Sequence, residues 1–367
     1  MKTIVVSGIN LFTGGTLKVM QECISALSSF AGDEYEIVAL VHNAKQYAFY
    51  PNVRYIAFPK SRQSYLYRLY YEYIGFRKLS KQLKPYAWLS MHDTTPNVIA
   101  EKRMVYCHNP FPFYKAGWRD FILQRNIFFF SILSKYTYQI NIKKNEYVIV
   151  QQEWMRKTFR EMFAIDNIVV SIPMPPDSAK KKTEIKQINS EKEKITFFFP
   201  ATPMTHKNFE LLCEAAALLE KDNNFGFAVL ITVKGMENKY AKRLYEKYQS
   251  LKSLRFIGFL NREKMDFYYQ TADCMVFPSK AETWGLPLTE AKEYDKPILA
   301  SNLPFAKETV GKYDKVKFFD PDDVQQLADA MKNFMQGTIV YDETKEVEYN
   351  EPVARNWDEL VQFLFAE

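Results

Sequence analysis

The chain has 367 residues, more than one hydrophobic core usually supports, so its length favours two domains. Its four cysteines are scattered without a C-x-x-C pair, which argues against a disulfide framework or a zinc site and favours reduced thiols in the cytosol. No stretch approaches the ~20 apolar residues of a membrane span, and the N-terminus lacks the apolar run of a signal peptide, so we expect a soluble, cytoplasmic protein.

The positive charge is concentrated in the first half of the chain. The formal net charge is +6, yet residues 60–84 alone contain seven Lys and Arg against one acidic residue, and residues 102–144 contain eight against one. The rest of the chain is therefore net acidic. Such an asymmetry is typical of a protein whose basic part meets an anionic partner.

Strands and helices alternate along the chain. Residues 4–6 and 36–41 are expected strands, and a glycine-containing turn at 13–16 leads from the first of them into a helix. The pattern returns in the second half, with a helix expected at 208–219 and strands at 195–199, 227–233, 254–256 and 274–277. This alternation predicts an α/β fold with parallel sheets and helices on both faces of each sheet.

A proline cluster near residue 173 and the charged tract that follows it have the composition of a linker. We therefore expect an N-terminal domain at 1–173, a linker at 174–194 and a C-terminal domain at 195–345. An amphipathic helix expected at 356–366 can cap either domain, the N-terminal one included.

Two segments of the first half combine basic and aromatic residues. The expected helix at 65–84 carries tyrosines and cations around an apolar stripe, and residues 111–144 repeat the mixture with Trp118 and a run of phenylalanines. One interpretation of the stripe is ordinary core, and we expect it to hold for Leu66 and Leu69.

The tyrosines and cations, Arg68 among them, are too many for one core face. We therefore expect 60–84 and 111–144 to bind an anionic membrane surface. Nucleic acid is not an expected partner, because no nucleic-acid-binding module is recognisable.

Polar residues end two short strands of the first half. His108 and Asn109 follow one strand, and His92 and Asp93 end another. Open α/β sheets bind ligands at the carboxyl ends of their strands, so these side chains are candidates for a ligand crevice. The alternative for His108 is a histidine packed in a tyrosine-rich core.

The most informative stretch is 277–291, in which Glu282 and Glu290 stand eight positions apart around a Trp-Gly-Leu-Pro turn. Gly285 permits a close backbone approach and Pro287 suits a helix start, so the turn predicts a helix N-terminus that can receive a pyrophosphate. We expect Glu290 in the first turn, accepting hydrogen bonds from a ribose diol, and Glu282 in the preceding loop, binding sugar hydroxyls. Alternatively, Glu290 only complements the helix dipole and Glu282 is a solvated loop charge.

This stretch resembles the E-x7-E signature of the family-four retaining glycosyltransferases. Their fold is GT-B, two Rossmann-like domains that face each other across a cleft. Other segments follow the family in order: the glycines at 14–15, a donor-phosphate segment at 200–208 and a strand and turn lining the base pocket at 256–260. The chain departs from the family at Thr202, where many members have an arginine that clamps the phosphate.

The resemblance implies a role for each matching residue. The residues expected to hold the donor are Lys207 and the amides of Trp284, Gly285 and Leu286 on the diphosphate, Glu290 on the ribose, Glu282 on the sugar, Gly258 at the base, and Gly14 and Gly15 near the leaving phosphate. His108 is expected to contact the transferred sugar and to act with Lys207 and Glu282 in catalysis. His92, Asp93 and Asn109 are expected to line the acceptor side.

The function implied by the resemblance is a retaining, metal-independent glycosyltransferase without a cofactor. It would move a sugar from a UDP- or GDP-linked donor to a glycan or lipid-linked oligosaccharide in polysaccharide biosynthesis, peripherally on the inner face of the membrane. A D-x-D pattern at Asp320 and Asp322 looks like a metal site, but aspartate there is common as a helix cap, and no metal is expected. Two alternatives stay open: a catalytically silent GT-B subunit that binds the nucleotide sugar or scaffolds a complex, and a GT-B sugar-nucleotide epimerase.

Overall fold

The computed structural model describes residues 1–173, 194–222 and 226–366. The expected linker at 174–194 lies outside the described residues except for its last position. The described residues cluster into two compact units. The first unit contains 1–109, 134–173 and 349–366, and the second contains 110–133, 194–222 and 226–348.

Fourteen strands are formed by the described residues. They are β1 Lys2–Gly8, β2 Tyr35–Val41, β3 Val53–Ala57, β4 Ala87–Ser90, β5 Lys102–Cys107, β6 Tyr147–Val150, β7 Ile168–Ser171, β8 Ile195–Phe199, β9 Phe227–Ile231, β10 Leu254–Phe256, β11 Cys274–Phe277, β12 Ile298–Ser301, β13 Val316–Phe319 and β14 Val353–Ala354.

Thirteen α-helices accompany them in the same described part. They are α1 Gly14–Ala31, α2 Tyr65–Tyr70, α3 Phe76–Leu83, α4 Trp118–Leu123, α5 Arg125–Gln139, α6 Glu153–Phe163, α7 Phe209–Lys221, α8 Lys239–Tyr248, α9 Arg262–Thr271, α10 Leu286–Glu293, α11 Pro304–Val310, α12 Val324–Gln336 and α13 Trp357–Phe365. None of these helices is long and apolar enough to cross a membrane.

Each unit contains one sheet. The strand order is β14-β7-β6-β5-β4-β1-β2-β3 in the first unit and β10-β9-β8-β11-β12-β13 in the second. All strand pairs in these sheets are parallel, as between Ile4 of β1 and its neighbours Ile37 of β2 and Ala87 of β4. The predicted α/β fold with parallel sheets is confirmed.

The strands are buried apolar runs, which is what a sheet covered by helices on both faces requires. In β8 the three phenylalanines at 197–199 are at most 1% exposed. Helix α7 packs beside this sheet because its apolar residues recur every three to four positions, and Phe209, Leu212 and Ala216 are fully buried.

Residues 110–133 belong to the second unit, whereas the predicted domain at 1–173 included them in the first. The reason is a set of contacts that sequence reasoning did not anticipate. Gln124 accepts a hydrogen bond from the backbone N–H of Thr205 at 2.7 Å and donates to the carbonyl of Pro203 at 3.3 Å. Arg119 forms an ion pair with Glu210 of α7.

The chain returns to the first unit at its C-terminal end. There α13 packs against α1 and buries Leu360, Val361 and Leu364, each 1% exposed. The ring of Trp357 stacks on Tyr106 of β5 with 5.4 Å between centroids. The helix expected at 356–366 therefore forms and contacts the N-terminal unit.

The helix expected at 65–84 consists of α2, a π-helical turn at Tyr71–Gly75, and α3. The expectation that Leu66 belongs to the core is wrong, because its side chain is 75% exposed. Leu69 is half-buried, and the core contact of this segment is made by Phe76, which is fully buried. Apolar periodicity identified the helix but not which of its residues face the sheet.

Candidate functional site

The structure brings Lys207 and Glu282 into direct contact. Lys207 ends a short turn after β8, and Glu282 lies in the loop after β11, the strand next to β8 in the sheet. Their side chains form an ion pair in which 18% of the lysine and 13% of the glutamate side chain is exposed. The two residues expected to bind donor phosphate and donor sugar therefore meet at the carboxyl end of two neighbouring strands, where α/β sheets bind ligands.

The loop that carries Glu282 leads into the N-terminus of α10. Gly285 is the residue before the helix and has φ +92°, in the left-handed region that favours glycine. Pro287 occupies the first turn, and no side chain caps the helix. Such a start leaves backbone N–H groups and the positive end of the helix dipole directed towards whatever lies before the helix, which suits an anion.

Glu290 lies in the second turn of α10, so its expected position in the first turn is wrong. Its carboxylate is 8% exposed and accepts hydrogen bonds from the guanidinium of Arg262 at 2.5 Å and the hydroxyl of Tyr269 at 2.7 Å. A carboxylate has about four lone-pair positions, so both contacts leave room for further donors such as a ribose diol.

Sequence reasoning missed Arg262 and Tyr269. Both belong to α9, which follows the strand and turn that resemble the base-pocket segment. Their positions in the sequence carry no signal for contact with Glu290, because the contact depends on how α9 packs beside α10. Burial, followed by the charge of Glu290, raises the pKa of Tyr269 well above its ordinary value, so this phenol stays a hydrogen-bond donor.

Gly258 follows β10 with φ +72°, and a side chain added there would meet Lys234 at 3.6 Å. Its N–H donates to the carbonyl of Val233 at 3.2 Å, which holds the turn against the end of the adjacent strand β9. Phe259, the next residue, is 90% exposed. The expected base pocket is thus a turn with an open flank at the carboxyl edge of the second sheet.

In the first unit, Asp93 organises the surroundings of His108. Asp93 lies after β4 with φ +69°, and His108 follows β5, the next strand of the sheet. One carboxylate oxygen of Asp93 accepts a hydrogen bond from the backbone N–H of His108 at 2.7 Å. The other lies 3.8 Å from His108 Nε2. The side chains expected at two strand ends therefore form one cluster, and Asn109 is the half-buried residue that follows it.

His92 is fully buried, and its Nδ1 lies 2.6 Å from the amide oxygen of Asn10. Burial lowers the pKa of His92 to about 4, against the opposing effect of Glu72, so the imidazole is neutral near pH 7. A neutral, enclosed imidazole fits a structural role better than proton exchange with an acceptor.

Arg68 and Glu72 were not expected at this cluster. Arg68 was assigned to a membrane-facing surface, but its guanidinium donates to Glu72 at 2.6 Å and to the carbonyl of His92 at 2.8 Å. Glu72 is 1% exposed and also accepts a hydrogen bond from Thr94 at 2.7 Å. Glu72 is the one acidic residue in the basic stretch at 60–84 and stands four residues after Arg68. This helical spacing was the sequence signal that could have predicted the ion pair.

Gly14 and Gly15 begin α1, beyond the carboxyl end of β1. Gly14 has φ +58°, and space for a side chain is open at both glycines. Thr13 precedes the helix without capping it through its side chain. The expected glycine loop therefore forms an exposed, uncapped helix start in the first unit.

The D-x-D pattern is used locally. Asp320 accepts a hydrogen bond from the N–H of Asp322 at 2.8 Å, Asp322 pairs with Lys280, and Asp323 caps α12. Among the described residues, no group of three or more His, Cys, Asp or Glu is arranged to hold a metal ion.

Residues 180–351 match the family model described as glycosyl transferases group 1. The matched range is slightly less than half of the chain, and it is similar to the group 1 glycosyl transferases. The resemblance carried by the E-x7-E stretch is thereby confirmed, since Lys207, Gly258 and the 282–290 loop and helix all lie within the matched range. The first-unit candidates lie outside it.

Two curated relatives are named as mannosyltransferases. The chain is 28% identical to the O-antigen chain mannosyltransferase B of Escherichia coli over 123 residues. This aligned region covers 33% of this chain and 32% of that protein. It is 23% identical over 249 residues to the O-antigen chain mannosyltransferase RfbU of Salmonella typhimurium, covering 67% of this chain and 64% of that protein. Of the first curated relatives it matches, this chain covers only 17–32% of the length.

The fold matches solved glycosyltransferase structures. A sucrose-phosphate synthase from Thermosynechococcus elongatus superimposes with a TM-score of 0.63 at 14% identity, covering 92% of this chain and 90% of that one. The predicted GT-B fold class, with two Rossmann-like domains, is confirmed.

Proposed function

We propose that this chain is a retaining glycosyltransferase that transfers mannose from a nucleotide sugar to a glycan acceptor in O-antigen-like polysaccharide assembly. The observation that carries the proposal is the Lys207–Glu282 pair beside the start of α10, inside the range matched by the group 1 family. The names of the two mannosyltransferase relatives support the sugar and the acceptor class.

The ion pair is the resting form of the donor site in this proposal. When the donor binds, its diphosphate binds the Lys207 ammonium and the backbone N–H groups at the start of α10. The Glu282 carboxylate then accepts hydrogen bonds from the sugar hydroxyls. Both charges are then compensated by ligand groups, so opening the pair leaves neither side chain without a partner. Glu290, held by Arg262 and Tyr269, accepts from the ribose.

The reaction breaks the bond between the anomeric carbon and the diphosphate oxygen, and the acceptor oxygen bonds to that carbon on the same face. The acceptor's hydroxyl proton passes to an oxygen of the leaving diphosphate. Lys207 and the helix start stabilise the charge that develops on the diphosphate, which is the main contribution the protein makes to the rate. His108, oriented through Asp93, contacts the transferred sugar. No metal ion or cofactor takes part.

Transfer of radiolabelled mannose from GDP-mannose and UDP-mannose to a mannose-terminated acceptor tests this function. Lys207→Ala and Glu282→Gln are each expected to lower turnover by about 10²–10³-fold, the usual loss when one charge-stabilising group is removed. Lys315→Ala is the matched control, because Lys315 pairs with Asp295 at the surface of the same unit. Full turnover in both site variants contradicts the assignment.

The same assay separates the alternatives. Donor binding without transfer to any acceptor supports a silent subunit, and conversion of the donor sugar without an acceptor supports an epimerase.

We also propose that the enzyme works in the cytoplasm and docks on the anionic inner face of the membrane through α5. The residues of one exposed face recur at helical spacing and are 44–56% exposed: Phe129, Ile132, Leu133, Tyr136 and Ile140. Arg125, Lys135, Lys143 and Lys144 flank this face and are exposed. An apolar face bordered by cations fits an anionic lipid surface.

Flotation with vesicles of phosphatidylglycerol and phosphatidylethanolamine tests the docking. The wild-type protein is expected to float with the vesicles, and a Phe129→Ser, Ile132→Ser, Tyr136→Ser variant to stay at the bottom. Phe49→Ser is the control, because Phe49 is 86% exposed but lies elsewhere. If all three proteins float equally, or if no protein floats, the result contradicts membrane docking through this face of α5.

A further inference from the structure

The second unit contains a cavity that none of the expected donor residues lines. Its volume is about 520 Å³, within the range of small-ligand sites. Helix α4, the first half of α7, the second half of α8 and the start of α12 form its walls. Asn208, the residue after Lys207, and Lys280, two residues before Glu282, also line it, so the cavity borders the segments that carry the donor pair.

The wall formed by α4 is fastened to the rest of the unit. The Lys239 ammonium donates to the carbonyl of Ile122 at 3.0 Å, and Gln124 is tied to Thr205 as described above. Arg119 of α4 forms an ion pair with Glu210, which also accepts a hydrogen bond from Tyr240. The cavity is therefore a built part of the fold.

Charges in the lining are nearly balanced and mostly paired. Besides the ion pair of Arg119 with Glu210, the lining contains two more ion pairs: Lys247 with Glu214 at 3.0 Å, and Lys280 with Asp322. With four cations and three carboxylates the lining has a formal net charge of +1, and three of the cations are already paired, so little charge is left to attract a diphosphate.

The same lining offers both donors and acceptors of hydrogen bonds. Arg243 has no ion-pair or hydrogen-bond partner among the residues that the structure describes, so its guanidinium is available as a donor. Tyr248 and the carboxylate of Glu214 are 2.9 Å apart and provide acceptor oxygens. Alternating donors and acceptors without a large net charge match a ligand whose hydroxyl groups do both.

Trp118 adds an apolar platform at the rim. Trp118 is 72% exposed, so its ring is accessible to a ligand. Its ring stacks on Phe121 with 5.1 Å between centroids, which fixes the exposed face in place. The C–H faces of a pyranose pack well on such a fixed indole, while its hydroxyls reach the polar groups behind.

We propose that this cavity binds a neutral oligosaccharide, namely a segment of the glycan acceptor or product chain beside the donor site. The identity of that glycan rests on the proposed function, but the recognition chemistry rests on the cavity alone. In this view Trp118 and Arg243 hold the growing chain, so that an elongated acceptor stays close to the enzyme between transfers.

Calorimetric titration of the full chain with mannotriose, and in parallel with maltotriose, tests the site. At least one of the two trisaccharides is expected to bind. The Trp118→Ala substitution is expected to weaken that binding about tenfold, which equals about 1.4 kcal/mol. Arg243→Ala, a substitution at an exposed side chain, is expected to weaken it several-fold, and the Phe49→Ala control to leave it unchanged.

Three results would overturn the proposal: no binding of either trisaccharide up to about 10 mM, equal binding in both cavity variants, or displacement of the sugar by inorganic phosphate. Nucleotide-sugar binding, followed by thermal shift, serves as the separate readout for the donor site. If transfer activity is absent but Trp118-dependent sugar binding is present, the proposed function fails while the cavity assignment stands. If transfer is normal and the variants bind sugar like wild type, only the cavity assignment fails.

Discussion

The two units use ion pairs at the ends of their sheets in opposite ways. In the second unit the Lys207–Glu282 pair remains partly exposed, so a ligand can reach and replace each partner. In the first unit the carboxylate of the pair, Glu72, is 1% exposed and contacts Arg68 and Thr94, whereas the Arg68 side chain is 17% exposed, about as much as Lys207. The difference between the pairs therefore lies in the carboxylates, 13% exposed at Glu282 and 1% at Glu72, and only the more exposed one is within reach of a ligand. Burial of the carboxylate therefore distinguishes the proposed donor-binding pair from the Arg68–Glu72 pair, which supports the first unit.

The largest expected effect comes from breaking the Arg68–Glu72 pair. Glu72→Ala leaves the Arg68 guanidinium without its buried partner, and removing one partner of a buried pair costs about 3–5 kcal/mol. Burial alone would raise the pKa of Glu72, but Arg68 holds it below the ordinary value, so we expect the carboxylate to be charged near neutral pH.

Urea unfolding measures this cost. Glu36→Ala is the matched control, because Glu36 pairs with Arg54 at an exposed site and should cost at most about 1 kcal/mol. Equal losses in the two variants would show that the Arg68–Glu72 pair does not support the first unit as described.

A smaller effect is expected from the protonation of His92. Its pKa lies near 4 in the folded chain and near 6.5 when unfolded, so between these values the unfolded state binds more protons. Stability should therefore fall as the pH decreases through this window, by up to about 1.4 kcal/mol for each pH unit.

The comparison that isolates this contribution is wild type against His92→Asn, each unfolded in urea at a series of pH values from 7 to about 4. The variant should show a shallower loss of stability. Because His206 is also buried with a lowered pKa, part of the slope remains in both proteins. Parallel curves would contradict the enclosed, neutral state of His92.

The smallest effect concerns how Glu290 is held. Tyr269→Phe removes one hydrogen bond to a mostly buried carboxylate, worth about 1–2 kcal/mol. If Glu290 binds the ribose, the variant should raise KM for the donor by about tenfold and change kcat less.

Tyr294→Phe is the control for Tyr269→Phe, because Tyr294 stacks on Tyr269 but does not donate to Glu290. Steady-state kinetics at varied donor concentration would show whether KM or kcat changes. A fall in kcat with an unchanged KM would mean that Tyr269 acts in the chemical step and does not position the ribose carboxylate.

Much of the fold could be predicted because local patterns determine it. The strands at 195–199, 254–256 and 274–277 form as expected, since short apolar runs between turn residues have few alternatives in a parallel sheet. The Glu282 loop and the start of α10 were also predicted, because Gly285 allows the positive φ of the turn and Pro287 restricts the backbone of the first helical turn.

The rest depends on contacts between segments far apart in sequence. The burial of Glu72 and the exposure of Leu66 follow from how the 65–83 helical segment meets the first sheet, which periodicity alone does not determine. Likewise, Glu290 meets Arg262 and Tyr269 only through the packing of α9 beside α10. The clustering of 110–133 with the second unit has the same origin, since Gln124 and Arg119 find partners about 80–90 residues away in the sequence.

The most direct test of the central claim is donor binding followed by thermal shift. The wild-type chain is measured with GDP-, UDP-, ADP- and CDP-sugars without added metal, beside Lys207→Ala and the Lys315→Ala control. A ligand that binds only the folded state raises the Tm by mass action. We predict that one nucleotide series raises the Tm of wild type and of Lys315→Ala but not of Lys207→Ala. An equal shift in all three proteins would contradict the claim that the Lys207–Glu282 pair is the donor site.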